Sequence, residues 1–167
     1  MEIGAVTAQK LLGECEVFSS LGNADLGRIA SSVRESECQA GTLIFKEGQR
    51  AEELFVLLEG KVALQMGLPS ALKEMKGGRR VTVDVIVKNE LFGWSAIVEP
   101  NVYTLTAVCL QKSKTLSING TKLRWLMQDN PKIGYEITKG LIKVIASRLN
   151  DTRQLLVSER LLAERIE

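Results

Sequence analysis

The residues best placed to do chemistry lie between Asn89 and Val108, in the stretch NELFGWSAIVEPNVYTLTAV. Its glycine predicts a tight turn, after which come a short apolar segment, a proline and an alternating strand. Such a segment is a reasonable frame for holding an anion on backbone N–H groups. Yet the stretch contains no arginine or lysine to pair with that anion. The frame of an anion site is therefore present without its cation.

Side chains suited to catalysis or metal binding are scarce in this sequence. Histidine is absent, which removes the commonest general base and the commonest metal ligand. The three cysteines, Cys15, Cys38 and Cys109, are widely spaced and form no CxxC motif, so they predict neither a disulfide framework nor a zinc site. We therefore expect no catalytic residues, no metal site and no enzymatic activity.

Composition and charge are those of an ordinary globular domain. The chain has 167 residues, of which 45% are hydrophobic and 25% charged, and this is enough to bury a core. A net charge of +2 gives no overall field that would attract nucleic acid. The apolar runs are too short to span a membrane, and the N-terminus lacks the features of a signal peptide. We expect a cytoplasmic protein with no membrane partner.

The N-terminal segment predicts two helices that position the body of the chain. Residues 7–17 carry Ala8, Leu11, Leu12 and Cys15 at helical spacing. Asn23 is the predicted N-cap of a second helix, and the apolar stripe expected on that helix is Leu26, Ile29, Ala30 and Val33.

A run of short strands separated by glycine turns is predicted next. Residues 42–45, 54–58 and 62–66 are β-rich, and two further strands are predicted at 104–108 and 114–118. Another strand follows a loop at Gly77 and Gly78, and one of its faces is all valine: Val81, Val83, Val85 and Val87. Short strands at this spacing favour a barrel or sandwich over a parallel sheet.

Two helices are predicted to close the chain. The segment NGTKLRWLMQDNP should form one helix, with Leu123, Leu126 and Met127 facing inward. From residue 132 to the end only Gly134 and Gly140 weaken a second helix, about 50 Å long at 1.5 Å per residue. Its first third is expected to pack on the body through Ile133, Ile137 and Leu141. We interpret Gly140 as a hinge.

The rest of this helix extends beyond a body of ordinary size and therefore needs a partner. Its apolar positions follow heptad spacing and predict a parallel homodimer of modest strength, with Thr152 and Glu159 on the seam. The predicted dimer residues are Ile142, Ile145, Leu149, Thr152 and Leu156. Basic and acidic residues alternate along the helix, which is typical of a coiled coil, so we expect no specific DNA binding by this chain. The predicted long helix divides the chain into a body, residues 1–130, and a dimerisation helix, residues 131–167.

The order of these elements, together with the turns at Gly41, Gly48, Gly60 and Gly93, resembles the cyclic-nucleotide-binding domain of the catabolite-activator superfamily. The resemblance covers the chain from Phe18 to about residue 156. The chain also resembles small stand-alone members of the family that lack a helix-turn-helix. It implies an α+β fold: an antiparallel β-roll or jelly-roll barrel, flanked by N-terminal helices and followed by a long C-terminal dimerisation helix.

The same resemblance marks what is missing from the site. In ligand-binding relatives the cassette glycine is followed by a glutamate that binds the ribose, and about ten residues later an arginine pairs with the cyclic phosphate. Here Trp94 follows Gly93, and the arginine position falls on Tyr103, or on Val102 if the loop is shifted by one. A buried phosphate without a cation is costly, so we expect no binding of cyclic AMP in the usual way.

Several hypotheses remain open at this point. The candidate ligand-binding residues are Phe92, Gly93, Trp94, Ser95, Ala96, Tyr103, Thr104 and Arg80. Arg79 and Arg80 are candidate phosphate ligands or solvated hairpin residues, and the aromatic pair Trp94 and Tyr103 either lines a pocket for a planar ligand or plugs it. No cofactor is certain; a cyclic nucleotide or another small ligand is possible.

The leading hypothesis is a non-enzymatic sensory module acting on an unknown effector protein. The alternatives are a ligand-free interaction scaffold and the sensory half of a transcription regulator.

Overall fold

The computed structural model describes residues 4–68 and 80–164. Two helices come first, α1 (Ala5–Gly13) and α2 (Asn23–Ala30). Their apolar sides face the core as predicted, with Ala8, Leu12, Leu26 and Ile29 buried. The predicted loop glycines Gly77 and Gly78, together with Arg79, lie outside the described residues.

The predicted start of the second helix is wrong by one residue. Gly22 is the N-cap, and Asn23 is the first helical residue and makes no capping hydrogen bond with its side chain. The reason is that the carbonyl of Gly22 already accepts hydrogen bonds from the N–H groups of Asp25 and Leu26, each at 3.0 Å. Val33, placed on this helix by its spacing, instead opens the first strand.

The strands form the two antiparallel sheets of a β-roll, which confirms the predicted fold class. In the described residues they are β1 (Val33–Cys38), β2 (Leu43–Phe45), β3 (Glu53–Glu59), β4 (Val62–Gly67), β5 (Arg80–Ile86), β6 (Leu91–Phe92), β7 (Thr106–Cys109) and β8 (Ser113–Asn119). One sheet has the order β1-β8-β3-β6 and the other β2-β7-β4-β5. The large side chains between the sheets make a continuous core.

The all-valine face of β5 points away from this core. Val81, Val83, Val85 and Val87 are each 40–49% exposed, whereas Ile86 on the opposite face is fully buried and pairs with Val62. Strand β5 lies at the edge of its sheet, and its other face is buried only at Ile86, since Thr82 is exposed and Asp84 half-buried. The strand that looks most regular in the sequence therefore exposes its more apolar face.

Two helices complete the fold, α3 (Gly120–Asp129) and α4 (Pro131–Glu164). The side chain of Asn119 caps α3 by accepting a hydrogen bond from the N–H of Lys122 at 2.9 Å. In α3 Leu123 is buried, while Leu126 and Met127 are half-buried against the core. The first third of α4 packs on the body as predicted, through Ile133, Ile137 and Leu141, all of which are buried. Within residues 4–68 and 80–164, no helix combines the length and apolarity needed to cross a bilayer.

Gly140 lies where α4 passes closest to the N-terminal segment. A Cβ added there would stand 2.6 Å from the carbonyl oxygen of Val17 and 2.8 Å from its Cα. Both are backbone atoms held by the fold and cannot move aside cheaply. The structure therefore gives Gly140 a packing role that its helical context did not reveal.

Replacing Gly140 with alanine should lower the free energy of unfolding by about 1–3 kcal/mol, because the added methyl overpacks this contact. The matched control is Gly27→Ala in α2, whose added methyl would meet only the Gln9 side chain at 3.8 Å. That variant should gain about 0.5–1 kcal/mol from better helix propensity. Urea denaturation measures both changes, and stabilisation of both variants would contradict the close packing.

Candidate functional site

Four aromatic rings fill the interior of the roll where the cassette meets the sheets. Phe45 on β2, Phe55 on β3 and Phe92 on β6 have ring centroids 5.2–6.1 Å apart. The ring of Tyr103 stacks on Phe45 with centroids 3.8 Å apart and an interplanar angle of 10°. All four residues are less than one-tenth exposed. The cluster is therefore a packed part of the core.

The phenol of Tyr103 is anchored to the neighbouring sheet. Its hydroxyl donates to the carbonyl oxygen of Glu53 at 2.6 Å and lies 3.3 Å from the N–H of the same residue. The backbone of Tyr103 is held as well, since its N–H donates to Gln49 O at 2.9 Å and its carbonyl accepts from Gly48 N at 2.8 Å. Burial raises the pKa of Tyr103 above its usual value, so the phenol is neutral at pH 7 and remains a donor.

The cassette glycine permits a close approach to this cluster. Gly93 has a φ of 74°, and a Cβ there would lie 3.2 Å from a ring carbon of Phe45 and 3.3 Å from one of Phe55. A side chain would therefore be strained in its backbone and crowded by two rings. This glycine leads into a short 3-10 helix, Trp94–Ala96.

The backbone of the 3-10 helix is largely occupied by bonds within the protein. The N–H of Ala96 donates to Gly93 O at 3.1 Å, so it is not free for an anion. The carbonyl of Ser95 accepts from the Asn101 side chain at 2.9 Å, and that of Ala96 accepts from the guanidinium of Arg124. These contacts fix the loop in one conformation.

The space left at the cassette is very small. A cavity of about 30 Å³ is lined by Gly93, Trp94, Ser95, Tyr103 and Thr104, among others. Pockets that hold a small molecule commonly measure about 300–1,000 Å³. Five of the eight predicted ligand residues therefore lie together around a space with room for about a water molecule.

The other three predicted ligand residues are placed differently. Phe92 and Ala96 do not line the cavity; both are fully buried and belong to the core. Arg80 lies at the start of β5, is exposed, and pairs through its backbone with Gly67. The contacts of the described residues do not join it to the cassette.

Arg148 of α4 is a site residue that the sequence analysis missed. Its guanidinium lies over the ring of Trp94, with Cζ 4.9 Å from the centroid, and its Nε lies 3.5 Å from Asp84 Oδ2. Its Nη2 donates to Leu91 O at 2.9 Å. Nη1 is buried with no hydrogen-bond partner in the described residues. One side chain thus ties α4 to β5, to β6 and to the cassette; its heptad-like surroundings gave no signal of this role.

A groove of about 400 Å³ runs beside this contact, between the roll and α4. Its walls are mainly apolar and include Leu64, Met66, Trp94 and Leu155. The charged side chains that line it are Asp84, Asp151 and Arg148, two acidic and one basic. The charge of the groove therefore offers no net attraction for an anion.

The fold and the cassette lead to a family assignment. Residues 35–130, more than half of the chain, match the family model described as the cyclic nucleotide-binding domain. The chain belongs to this family. The comparisons therefore confirm the resemblance that the glycine turns and the element order indicated.

Proteins similar to this chain include regulatory proteins and a cyclic nucleotide-binding domain. The CRP-like cAMP-activated global transcriptional regulator of Mycobacterium tuberculosis is 22% identical over 147 residues, which are 88% of this chain and 61% of that protein. The chain thus spans about three fifths of the length of that relative. A cyclic nucleotide-binding domain from Methylobacillus flagellatus superposes with a TM-score of 0.75 at 13% identity, over 93% of this chain and 83% of that one.

A third similar protein is the regulatory subunit of a cAMP-independent protein kinase A from Trypanosoma brucei. It superposes with a TM-score of 0.67 at 17% identity and covers 84% of this chain and 48% of that one. At these identities the two structures establish the shared fold. All three relatives are binding domains or regulatory proteins by their descriptions.

Proposed function

We propose that this cyclic nucleotide-binding domain is a non-enzymatic regulatory module whose buried nucleotide position is closed by its own aromatic side chains. The observation that carries the proposal is the stacking of Tyr103 on Phe45, which leaves a cavity of about 30 Å³ at the cassette. The resemblance to ligand-binding relatives puts an arginine at the Tyr103 position, or at Val102 if the loop is shifted by one. This chain therefore does not bind cyclic AMP in the family's usual way.

Energetics favour the closed form over a bound phosphate. Taking a phosphate out of water costs several kcal/mol unless a cation and further hydrogen bonds compensate, and the stretch from Asn89 to Val108 holds no lysine or arginine. The closed roll instead buries the Tyr103 ring among three phenylalanines, and the burial of aromatic side chains is a large favourable contribution to a core. Because the closed roll keeps this contact and pairs the Tyr103 hydroxyl, the polar group it buries, with the Glu53 backbone, it is the more stable arrangement.

The output of the module is the position and pairing of α4. Beyond Leu141 one face of this helix still contacts the body, through Val144 and Arg148. Ile142, Ile145, Leu149 and Leu156 are 37–60% exposed. An exposed apolar stripe of this length marks an interface, and its heptad spacing fits a second copy of the chain. The chain is therefore a homodimer that presents the roll to an effector protein, with residues 1–130 as body and 131–167 as dimerisation helix.

Signals reach α4 through Arg148, because this residue bridges the helix to the cassette and to two strands. The groove beside it suits a planar, weakly charged ligand stacked near Trp94 better than a nucleotide anion, given its two carboxylates and one guanidinium. The Trypanosoma brucei relative, described as part of a cAMP-independent kinase, supports regulation by this fold without cyclic AMP.

A transcription regulator is the alternative, since the chain spans 61% of the Mycobacterium tuberculosis relative. In that case these residues would be the sensory part of a longer protein, and a separate segment would bind DNA. The reading frame beyond Glu167 decides between the two: a helix-turn-helix there would establish the alternative, and a stop codon would reject it.

Isothermal titration with cyclic AMP and cyclic GMP tests the closed pocket. We expect no saturable heat from the parent chain at ligand concentrations up to about 1 mM, the range of weak binding near −4 kcal/mol. The double variant Trp94→Glu, Tyr103→Arg reintroduces the two side chains by which relatives hold ribose and phosphate. Binding by this variant alone would show that the backbone frame is intact and that two side chains close it.

The matched control carries the same changes at exposed positions, Trp125→Glu and Tyr135→Arg, where the parent side chains are 65% and 63% exposed. It should bind no nucleotide and should remain folded. Saturable binding of cyclic AMP by the parent chain would contradict the proposal; loss of that binding in Arg148→Met would then place the ligand in the groove beside α4.

The dimer is tested by sedimentation equilibrium of Leu149→Lys and Gln154→Lys. Both residues are exposed on α4 and both variants add one positive charge, but only Leu149 lies on the apolar stripe. We expect Leu149→Lys to raise the dimer dissociation constant by at least about tenfold, since a buried like-charge pair costs more than about 1.4 kcal/mol, and Gln154→Lys to leave it unchanged. A monomeric parent chain would contradict the dimer.

A further inference from the structure

Two of the three cysteines meet at one end of the roll. The Sγ atoms of Cys38 and Cys109 are 3.0 Å apart, although the residues are 71 positions apart in the sequence. Cys38 ends β1 in one sheet, and Cys109 ends β7 in the other. The contact therefore joins the two sheets, which wide spacing and the absence of a CxxC motif did not predict.

The backbone holds both residues of this pair in place. Cys38 pairs with Ser113 in the β1–β8 ladder, and Cys109 pairs with Val62 in the β4–β7 ladder. The N–H of Cys109 also donates to Thr42 O at 2.9 Å, and its carbonyl accepts from Gly41 N at 2.8 Å. The ordering that a disulfide normally requires is thus already present in the reduced fold.

The two thiols differ in access. Cys109 is 1% exposed, whereas Cys38 is half-buried at the surface of the roll. A small oxidant can therefore reach Cys38 first, and Cys109 is placed to resolve the product. Cys15, the third cysteine, is 1% exposed and lies in the turn after α1.

We propose that Cys38 and Cys109 are a modification site at which a small hydroperoxide forms an intramolecular disulfide between the two sheets. The Cys38 thiolate attacks the peroxide, the O–O bond breaks, and Cys38 becomes a sulfenic acid; the leaving alkoxide or hydroxide takes a proton from water and departs as an alcohol or water. Cys109 then attacks the Cys38 sulfur, the S–O bond breaks, and the hydroxide departs as water with the Cys109 proton. The thiols lose two electrons in all, and the peroxide gains them.

Burial, together with the thiol–thiol contact with Cys109, raises the pKa of Cys38 well above its usual value. Little thiolate is present at pH 7, so oxidation is slow there and should accelerate about tenfold for each pH unit between pH 7 and 9. Once formed, the disulfide closes a long loop and ties β1 to β7. Formation of this disulfide does not depend on whether the cassette binds a nucleotide.

The reduced full chain is treated with hydrogen peroxide, denatured, alkylated and analysed by mass spectrometry. We expect one alkylated thiol instead of the three in the sequence, and a disulfide between the tryptic peptides of residues 35–46 and 89–112. The melting temperature should rise by roughly 5–15 °C, and a dithiol reductant should reverse both changes.

Variants separate this pair from general thiol oxidation. Cys15→Ser should still form the disulfide, whereas Cys109→Ser should show no rise in melting temperature with peroxide. Because peptide mapping of the parent chain needs no variant, the test holds even if Cys109→Ser fails to fold. Three alkylated thiols after oxidation, a disulfide to Cys15, or a disulfide between two chains would each overturn the proposal.

Discussion

Tyr103 stacks on Phe45 inside the roll, and the geometry of the cassette depends on this contact. The ring completes a set of four aromatic side chains, and the hydroxyl is anchored to the Glu53 backbone on the facing sheet. Gly93 suits its place beside this cluster, because a side chain there would be strained by the positive φ and crowded by Phe45 and Phe55. Trp94 follows immediately and lies under the Arg148 guanidinium. The aromatic cluster and the long helix thus meet the cassette at two neighbouring residues, Gly93 and Trp94.

If the nucleotide position is closed as we propose, the family's fold has a different use in this chain. A phosphate that binds in such a cassette loses its hydration and pairs with a buried cation. The helix can then respond to binding and release of the anion. Here the interior is filled by the protein's own aromatic side chains, which cannot dissociate as a bound ligand does. Among the described residues, the groove beside Arg148 and the apolar stripe of α4 are open to solvent. Both lie on the outside of the roll, where a ligand or a second chain can reach them.

Much of the fold could be predicted from the sequence because its signals are local. Glycine turns, alternating strands and heptad spacing each act within about ten residues, so the strands at Leu43–Phe45 and Ser113–Asn119 and the helix Pro131–Glu164 were expected within a few residues. Strand β1 was missed because its sequence, VRESEC, is mostly polar and pairs on only one side, with β8. Its strand conformation comes from that partner.

The site was predictable only in part, because sequence signals are local and the contacts of the site are between residues far apart in the chain. The position of Tyr103 pointed to a missing cation, but nothing local says that its ring stacks on Phe45, which is 58 residues earlier in the sequence. Likewise Arg148 looks like one more basic residue on a charged helix until Asp84 and Leu91 are brought beside it. Long-range pairing decides these contacts, and the close approach of Cys38 to Cys109 is another example.

The most direct test of the filled interior is thermal denaturation of Tyr103→Ala with and without phenol. Removing the ring should destabilise the fold by about 3–5 kcal/mol and leave an apolar cavity that phenol fits. The account predicts that phenol raises the melting temperature of the variant by several degrees and does not raise that of the parent chain. A variant that does not respond to phenol, or a parent chain that is stabilised as much, would contradict it.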